Sequence, residues 1–115
     1  AAMGQIELFH DKRAAGVFLD FAAMEKLEHT DGLIDMIRVI EGTDIAVVMK
    51  EKELGKSRVS MRSKGLDVTK IAVKFGGGGH IRAAGCAIEK NFSIAKQELI
   101  AAIDEALDAA QEESV

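Results

Sequence analysis

The chain has 115 residues, enough for one hydrophobic core, and its 48% hydrophobic and 30% charged composition suits a globular protein rather than a disordered one. No apolar run approaches the about 20 residues that span a bilayer, and no basic flank with an apolar stretch marks a secretory signal, so no membrane partner is expected. The net charge of −4 argues against coating duplex DNA by charge alone; the single cysteine, Cys86, excludes an internal disulfide and makes a reducing cytoplasm the expected location.

Gln5 to Phe9 alternates as a strand does, His10 to Arg13 is a polar turn, and Gly16 to Leu19 is a second apolar run, which predicts a hairpin. Asp20 is placed to cap a short helix through Phe21, Met24 and Leu27. Thr30 or Asp31 is placed to cap another, with Leu33, Ile34, Ile37 and Ile40 on its apolar side and Gly42 closing it. Ile45 to Met49 is continuously apolar, as in a strand covered on both faces. Glu51 to Lys56 is charged, contains Gly55 and reads as a turn.

From Ser57 to Arg62 the period is two. Val59 and Met61 point one way while Arg58, Ser60 and Arg62 point the other, so this strand has a core face and a cationic face. Asp67 is placed to cap a helix whose Val68, Ile71, Ala72 and Phe75 fall on one side. Four glycines stop it, Cys86 to Ile88 gives a last strand, and Ser93 is placed to cap a long helix. That helix buries Leu99, Ala102, Ile103, Ala106, Leu107 and Ala110. The order predicts a single α/β (α+β) domain over residues 1–115, a mixed β-sheet of about five strands with helices packed against it.

Charge is distributed unevenly. Between Leu54 and Arg82 there are seven cations (Lys56, Arg58, Arg62, Lys64, Lys70, Lys74, Arg82) against one acid, Asp67, so that stretch carries +6 while the rest carries −10. A local basic surface on an acidic domain suits a compact anionic ligand better than an extended polyanion.

The residues that carry chemistry run from Gly76 to Gly85. Gly76, Gly77, Gly78 and Gly79 cost much chain entropy on folding, so such a run solves a geometric problem. One solution is an anion nest, with N–H groups turned toward one point and the backbone close to ligand oxygens. Behind it come His80, a hydrogen-bond donor, and Arg82, able to hold a phosphate through two parallel hydrogen bonds. Ala83, Ala84 and Gly85 are small enough for close approach, and a helix begun at His80 would add free N–H groups. The bland alternative is a loop whose first glycine ends the preceding helix. Neither the P-loop nor the dinucleotide-fold spacing is present, because a helix precedes the glycines and no Lys-Ser/Thr pair follows them. With His10, His29 and His80 scattered and no CxxC pair, no metal site is expected in this domain. Cys86, without a base partner, reads as buried filler, and no residue is assigned a catalytic role. Aromatics are 4%, all phenylalanine, so base stacking over a sheet is not expected.

This glycine–histidine block resembles the signature of the C-terminal domain that accompanies the DHH catalytic domain in phosphoesterases. Leu33 to Gly42, Ile45 to Lys50, and Ser60 to Gly65 are similar to that domain's other blocks in the same order, with residues 1–30 a weaker match. The resemblance is nearest to cytoplasmic enzymes that degrade very short RNA and dephosphorylate 3′-phosphoadenosine 5′-phosphate. It implies substrate contacts from Gly76, Gly77, Gly78, Gly79 and His80, with Arg62, Ser63 and Lys64 nearby and Arg82 and Ala84 lining the same pocket. It also implies a DHH catalytic domain of the same protein that binds Mn²⁺ and hydrolyses short single-stranded RNA, DNA or nucleotide phosphate. The Asp-His-His motif is absent here, and the start at Ala1 reads as that of an excised domain or of the last part of a longer protein, so hydrolysis by this chain alone is not expected. The rival readings are a stand-alone nucleotide- or RNA-binding module and an oligomerisation domain.

Overall fold

A computed structural model describes residues 6–10, 13–26 and 43–113. The expected helix over Leu33 to Gly42, its Thr30 or Asp31 cap, and Leu27 lie outside the described residues, as does part of the first turn. The elements are β1 (Ile6–Phe9), β2 (Ala14–Leu19), α1 (Phe21–Lys26), β3 (Ile45–Glu53), β4 (Lys56–Ser63), α2 (Thr69–Lys74), β5 (Gly78–His80), β6 (Ala83–Ile88) and α3 (Phe92–Glu113). The strands form one sheet in the order β1-β2-β3-β4-β6-β5. Only β2 and β3 run parallel; every other neighbouring pair is antiparallel. The mixed α+β sheet is as expected, and the strand beyond the expected five is β5, made from the glycine block.

Strand β4 shows the predicted alternation, with Ser57, Val59, Met61 and Ser63 buried, Lys56, Arg58 and Ser60 exposed, and Arg62 half-buried. Its apolar side joins Ile45, Val47 and Met49 of β3 beneath α2 and α3, where Ile71, Leu99, Ile103 and Leu107 are fully buried. On the opposite face Ala15, Val17, Leu19, Ala46 and Val48 form a second cluster, with Ala23 and Met24 of α1 packed on it. Along Ala14–Leu19 of β2 and Ile45–Met49 of β3 both faces are therefore dry, as suits a parallel pair. Among the described residues no helix is long and apolar enough to cross a membrane.

Local signals set the helix starts. Asp20 Oδ1 accepts the Ala23 N–H at 2.9 Å and caps α1 as expected. The expected cap at Ser93 is corrected: α3 starts at Phe92, and Asn91 Oδ1 accepts the Ser93 N–H at 2.9 Å. The charged stretch expected to turn from Glu51 is mostly strand, with the reversal at Leu54 and Gly55. Buried Glu51 holds that corner: one carboxylate oxygen accepts the Phe21 N–H at 2.9 Å and the other the Gly55 N–H at 3.0 Å.

Candidate phosphate-binding site

The glycine block begins as the end of α2. Gly76 takes a left-handed φ of 81°, its N–H donates to the Val73 carbonyl at 3.0 Å, and the Gly77 N–H donates to the Ala72 carbonyl at 2.9 Å. This is the paired 6→1 and 5→2 closure of a helix by glycine. Gly77 then lies against β6, where a Cβ would fall on the Gly85 carbonyl oxygen and within 2.6 Å of the Cys86 Cβ. At Gly79 a Cβ would come within 2.6 Å of the Ala83 carbonyl oxygen and 2.7 Å of the Ala84 Cα. A Cβ at exposed Gly78 would meet nothing within 4 Å. The four-glycine nest is accordingly corrected. Two of its N–H groups serve the helix end, and close packing against β6 explains Gly77 and Gly79. Gly78 alone is left without a structural reason.

From Gly78 onward the chain forms a hairpin rather than a helix. β5 pairs with β6 through Gly78↔Gly85, Gly79↔Ala84 and His80↔Ala83, and exposed Ile81 and Arg82 form the tip. The tip is tied down by backbone bonds. The Ser63 N–H donates to the Arg82 carbonyl at 3.0 Å, and the Val68 N–H donates to the Ile81 carbonyl at 2.8 Å. The Ser63 hydroxyl donates to the Leu66 carbonyl and closes the loop from which both amides reach. Lys64 comes next in that loop, its N–H donating to the Asp44 carbonyl at 3.1 Å while Asp44 pairs with Arg13 at 2.7 Å.

Register decides which predicted residues share a surface. Ala83 pairs with His80 on one side and Arg62 on the other, so His80 and Arg62 stand on one face of the sheet, one strand apart. With about 4.8 Å between strands, their Cα atoms lie about 10 Å from each other. The Arg62 Nη1 donates to its neighbour's carbonyl, that of Met61, at 2.9 Å. None of Arg62, Lys64, His80 or Arg82 enters an ion pair among the described residues. The end of the sheet that carries them is open and cationic, with Asp44 already matched by Arg13. Ser63 and Ala84 belong to the frame instead. The Ser63 side chain is engaged by Leu66, and the Ala84 methyl, 4% exposed, points into the core opposite Met61. The tethers from Ser63 and Val68 were missed from sequence, since a backbone amide has no side-chain signature.

Among the described residues no three His, Cys, Asp or Glu side chains are placed to hold a metal ion. His10 is spent on Asp108, its Nε2 lying 2.7 Å from the carboxylate. Burial pushes the Cys86 thiol up to about 11, which keeps it protonated at neutral pH and unfit as a nucleophile.

The model of the DHHA1 domain family matches residues 20–111. Among curated proteins, the bifunctional oligoribonuclease and PAP phosphatase NrnA of Thermus thermophilus is 40% identical over 63 residues, covering 54% of this chain and 19% of that protein. Its namesake from Mycoplasma pneumoniae is 34% identical over 61 residues, covering 53% and 19%. The matched stretch thus covers about a fifth of the length of these relatives. Among solved structures, an exopolyphosphatase-related protein from Bacteroides fragilis superposes with a TM-score of 0.74 at 18% identity, over 94% of this chain and 32% of that one. The pGpG-specific phosphodiesterase PggH from Vibrio cholerae gives 0.70 at 13% identity, over 92% and 36%. These two likenesses show a shared fold.

Proposed function

Since the chain belongs to the DHHA1 domain family, we propose that it is the substrate-gripping domain of a phosphoesterase. It holds the phosphate of a short single-stranded RNA or DNA, or of a nucleotide, for hydrolysis by a DHH catalytic domain of the same protein. The observation that carries this reading is the open row formed by His80, Ala83 and Arg62 across β5, β6 and β4, with Arg82 at the tethered tip. Guanidinium groups of Arg62 and Arg82 bind phosphate oxygens in pairs, and a ring N–H of His80 adds a donor. Gly78, with open space where a Cβ would stand, lets a ligand come close to the edge strand. Lys64 adds charge from the adjoining loop.

The contribution to catalysis is orientation. A phosphate held against a rigid hairpin reacts as if at high local concentration, and this needs no reacting group on the domain itself. Metal chemistry, Mn²⁺ in the enzymes this chain resembles, is left to the catalytic domain, and a cytoplasmic location goes with it. The names of the relatives, an oligoribonuclease and PAP phosphatase and a pGpG-specific phosphodiesterase, support a nucleotide phosphate as the ligand.

The test is a backbone NMR titration of the chain with an RNA dinucleotide and with 3′-phosphoadenosine 5′-phosphate. Amides of Gly78 to Arg82 and of Arg62 to Lys64 are expected to shift together, and His80→Ala to abolish the response. Silence of these amides at millimolar ligand in a folded chain would overturn the reading.

A further inference from the structure

The polar face does not stop at the His80 row. Going back along β4 from Arg62, its outward residues are Ser60, Arg58 and Lys56, all exposed. Their partners on β6 are Ala83 beside Arg62, Gly85 beside Ser60 and Ala87 beside Arg58. Each polar side chain of β4 therefore stands next to a residue with nothing beyond Cβ. The result is a lane with a low floor on β6 and a cationic wall on β4. It opens at its far end into a concavity lined by Lys52, Lys56, Arg58 and Ala87, together with Glu53 and Glu89. Arg58 has no ion-pair partner among the described residues, and Lys56 has only a loose one, Glu53 at 3.8 Å.

We propose that this lane is a second subsite, which seats the backbone of a single-stranded oligonucleotide continuing beyond the phosphate held at His80. The inference rests on the function proposed above and extends it to a substrate class, strands longer than a dinucleotide. From Arg62 to Arg58 the lane runs about 13 Å, at about 3.3 Å per strand residue. Stacked nucleotides in one strand are about 3.4 Å apart, so the lane has room for about two to four more, fewer when the strand is stretched. None of the residues on its floor or wall is aromatic, so it grips phosphates and tolerates any base. At the far end the carboxylates of Glu53 and Glu89 repel the next phosphate and close the lane. Affinity should therefore climb with length and then level off.

The experiment is fluorescence anisotropy of this chain with oligoadenylates of two, five and ten nucleotides, read across a salt series. The pentanucleotide is expected to bind several-fold tighter than the dinucleotide, and the decanucleotide no tighter per site. Two added phosphate contacts should steepen the slope of log K against log salt by about 1.4, at about 0.7 per contact for single strands. In the double variant Arg58→Ala, Lys56→Ala the advantage of five nucleotides over two should vanish. Equal affinity for two and five nucleotides, with Gly78 to Arg82 still shifting on the dinucleotide by NMR, would overturn the lane and leave the proposed function standing. A dinucleotide that moves none of those amides would remove the proposed function, and the lane with it.

Discussion

The two halves of the one sheet differ in which faces are wet. In the half made by β1, β2 and β3, every residue from Ala14 to Leu19 and from Ile45 to Met49 is buried, between α1 on one side and α3 on the other. In the half made by β4, β6 and β5, Val59, Met61 and Ala84 face the core, while Arg58, Ser60 and His80 face water. The cause is topological. The parallel pair β2/β3 cannot be joined by a tight turn, and α1 of its connection covers one face there, whereas β4, β6 and β5 join antiparallel and can leave one face open. The first half is buried on both faces, and the second half, hydrogen-bonded to it through β3 and β4, holds its cationic side chains in the open.

Substitutions in each half test this division. Ile103→Ala, at a fully buried position of α3, leaves a cavity under the sheet and should cost about 2–5 kcal/mol by urea denaturation. Ligand shifts should persist while that variant stays folded. Gly77→Ala should cost about 1–3 kcal/mol, because the methyl group has no room against Gly85 and Cys86. It should also displace the hairpin and weaken the ligand response. Gly78→Ala is the control one residue away, with open space around its Cβ and a stability change within about 0.5 kcal/mol. Loss of ligand response in a stable Gly78→Ala variant would mean that this glycine serves the ligand. Arg62→Ala should likewise leave stability within about 0.5 kcal/mol while removing the response at His80. An unfolded Arg62→Ala chain would show that the open half is structural after all.

What could be read in the sequence was whatever repeats over a few residues. The period of two from Ser57 to Arg62 and the helical spacing of Leu99, Ile103 and Leu107 are local, and both appear in the fold as expected. Strand β5 was invisible because two of its three residues are glycine, which has low strand propensity; it exists through pairing with β6. The reason for Gly77 is Gly85, eight residues on, and no local pattern states that contact. Asn91 and Ser93 are equally good caps by type, and half-buried Phe92, packed against the core, settles the helix start in favour of Asn91. The inward turn of Ala84 is a matter of parity. With β6 beginning at Ala83, beside Arg62, the next methyl must turn inward beside Met61. Reading the last strand as Cys86 to Ile88 hid that parity.

The smallest effect concerns how the open half is tethered. Asp67 accepts the Thr69 N–H at 3.0 Å and the Thr69 hydroxyl, starting the turn from which the Val68 N–H reaches the Ile81 carbonyl. The Thr69 hydroxyl above all holds the Asp67 carboxyl below its ordinary 3.8; the Thr69 N–H and the Lys70 charge act the same way, and partial burial opposes them. A carboxyl depressed in the folded state stabilises the fold above its unfolded value, and this contribution disappears as pH falls through the folded value. Thr69→Ala should let the carboxyl return toward 3.8, so wild type and variant should differ in melting temperature at pH 7, and the difference should shrink as pH falls below 3.8 through the folded value. The Asp67 carboxyl titration, followed by NMR, should move up in the variant, and Thr69→Ser should restore it. A gap between the two proteins that stays constant from pH 7 to pH 2 would mean that the threonine acts independently of Asp67. The tether of the hairpin tip would then rest on backbone hydrogen bonds alone.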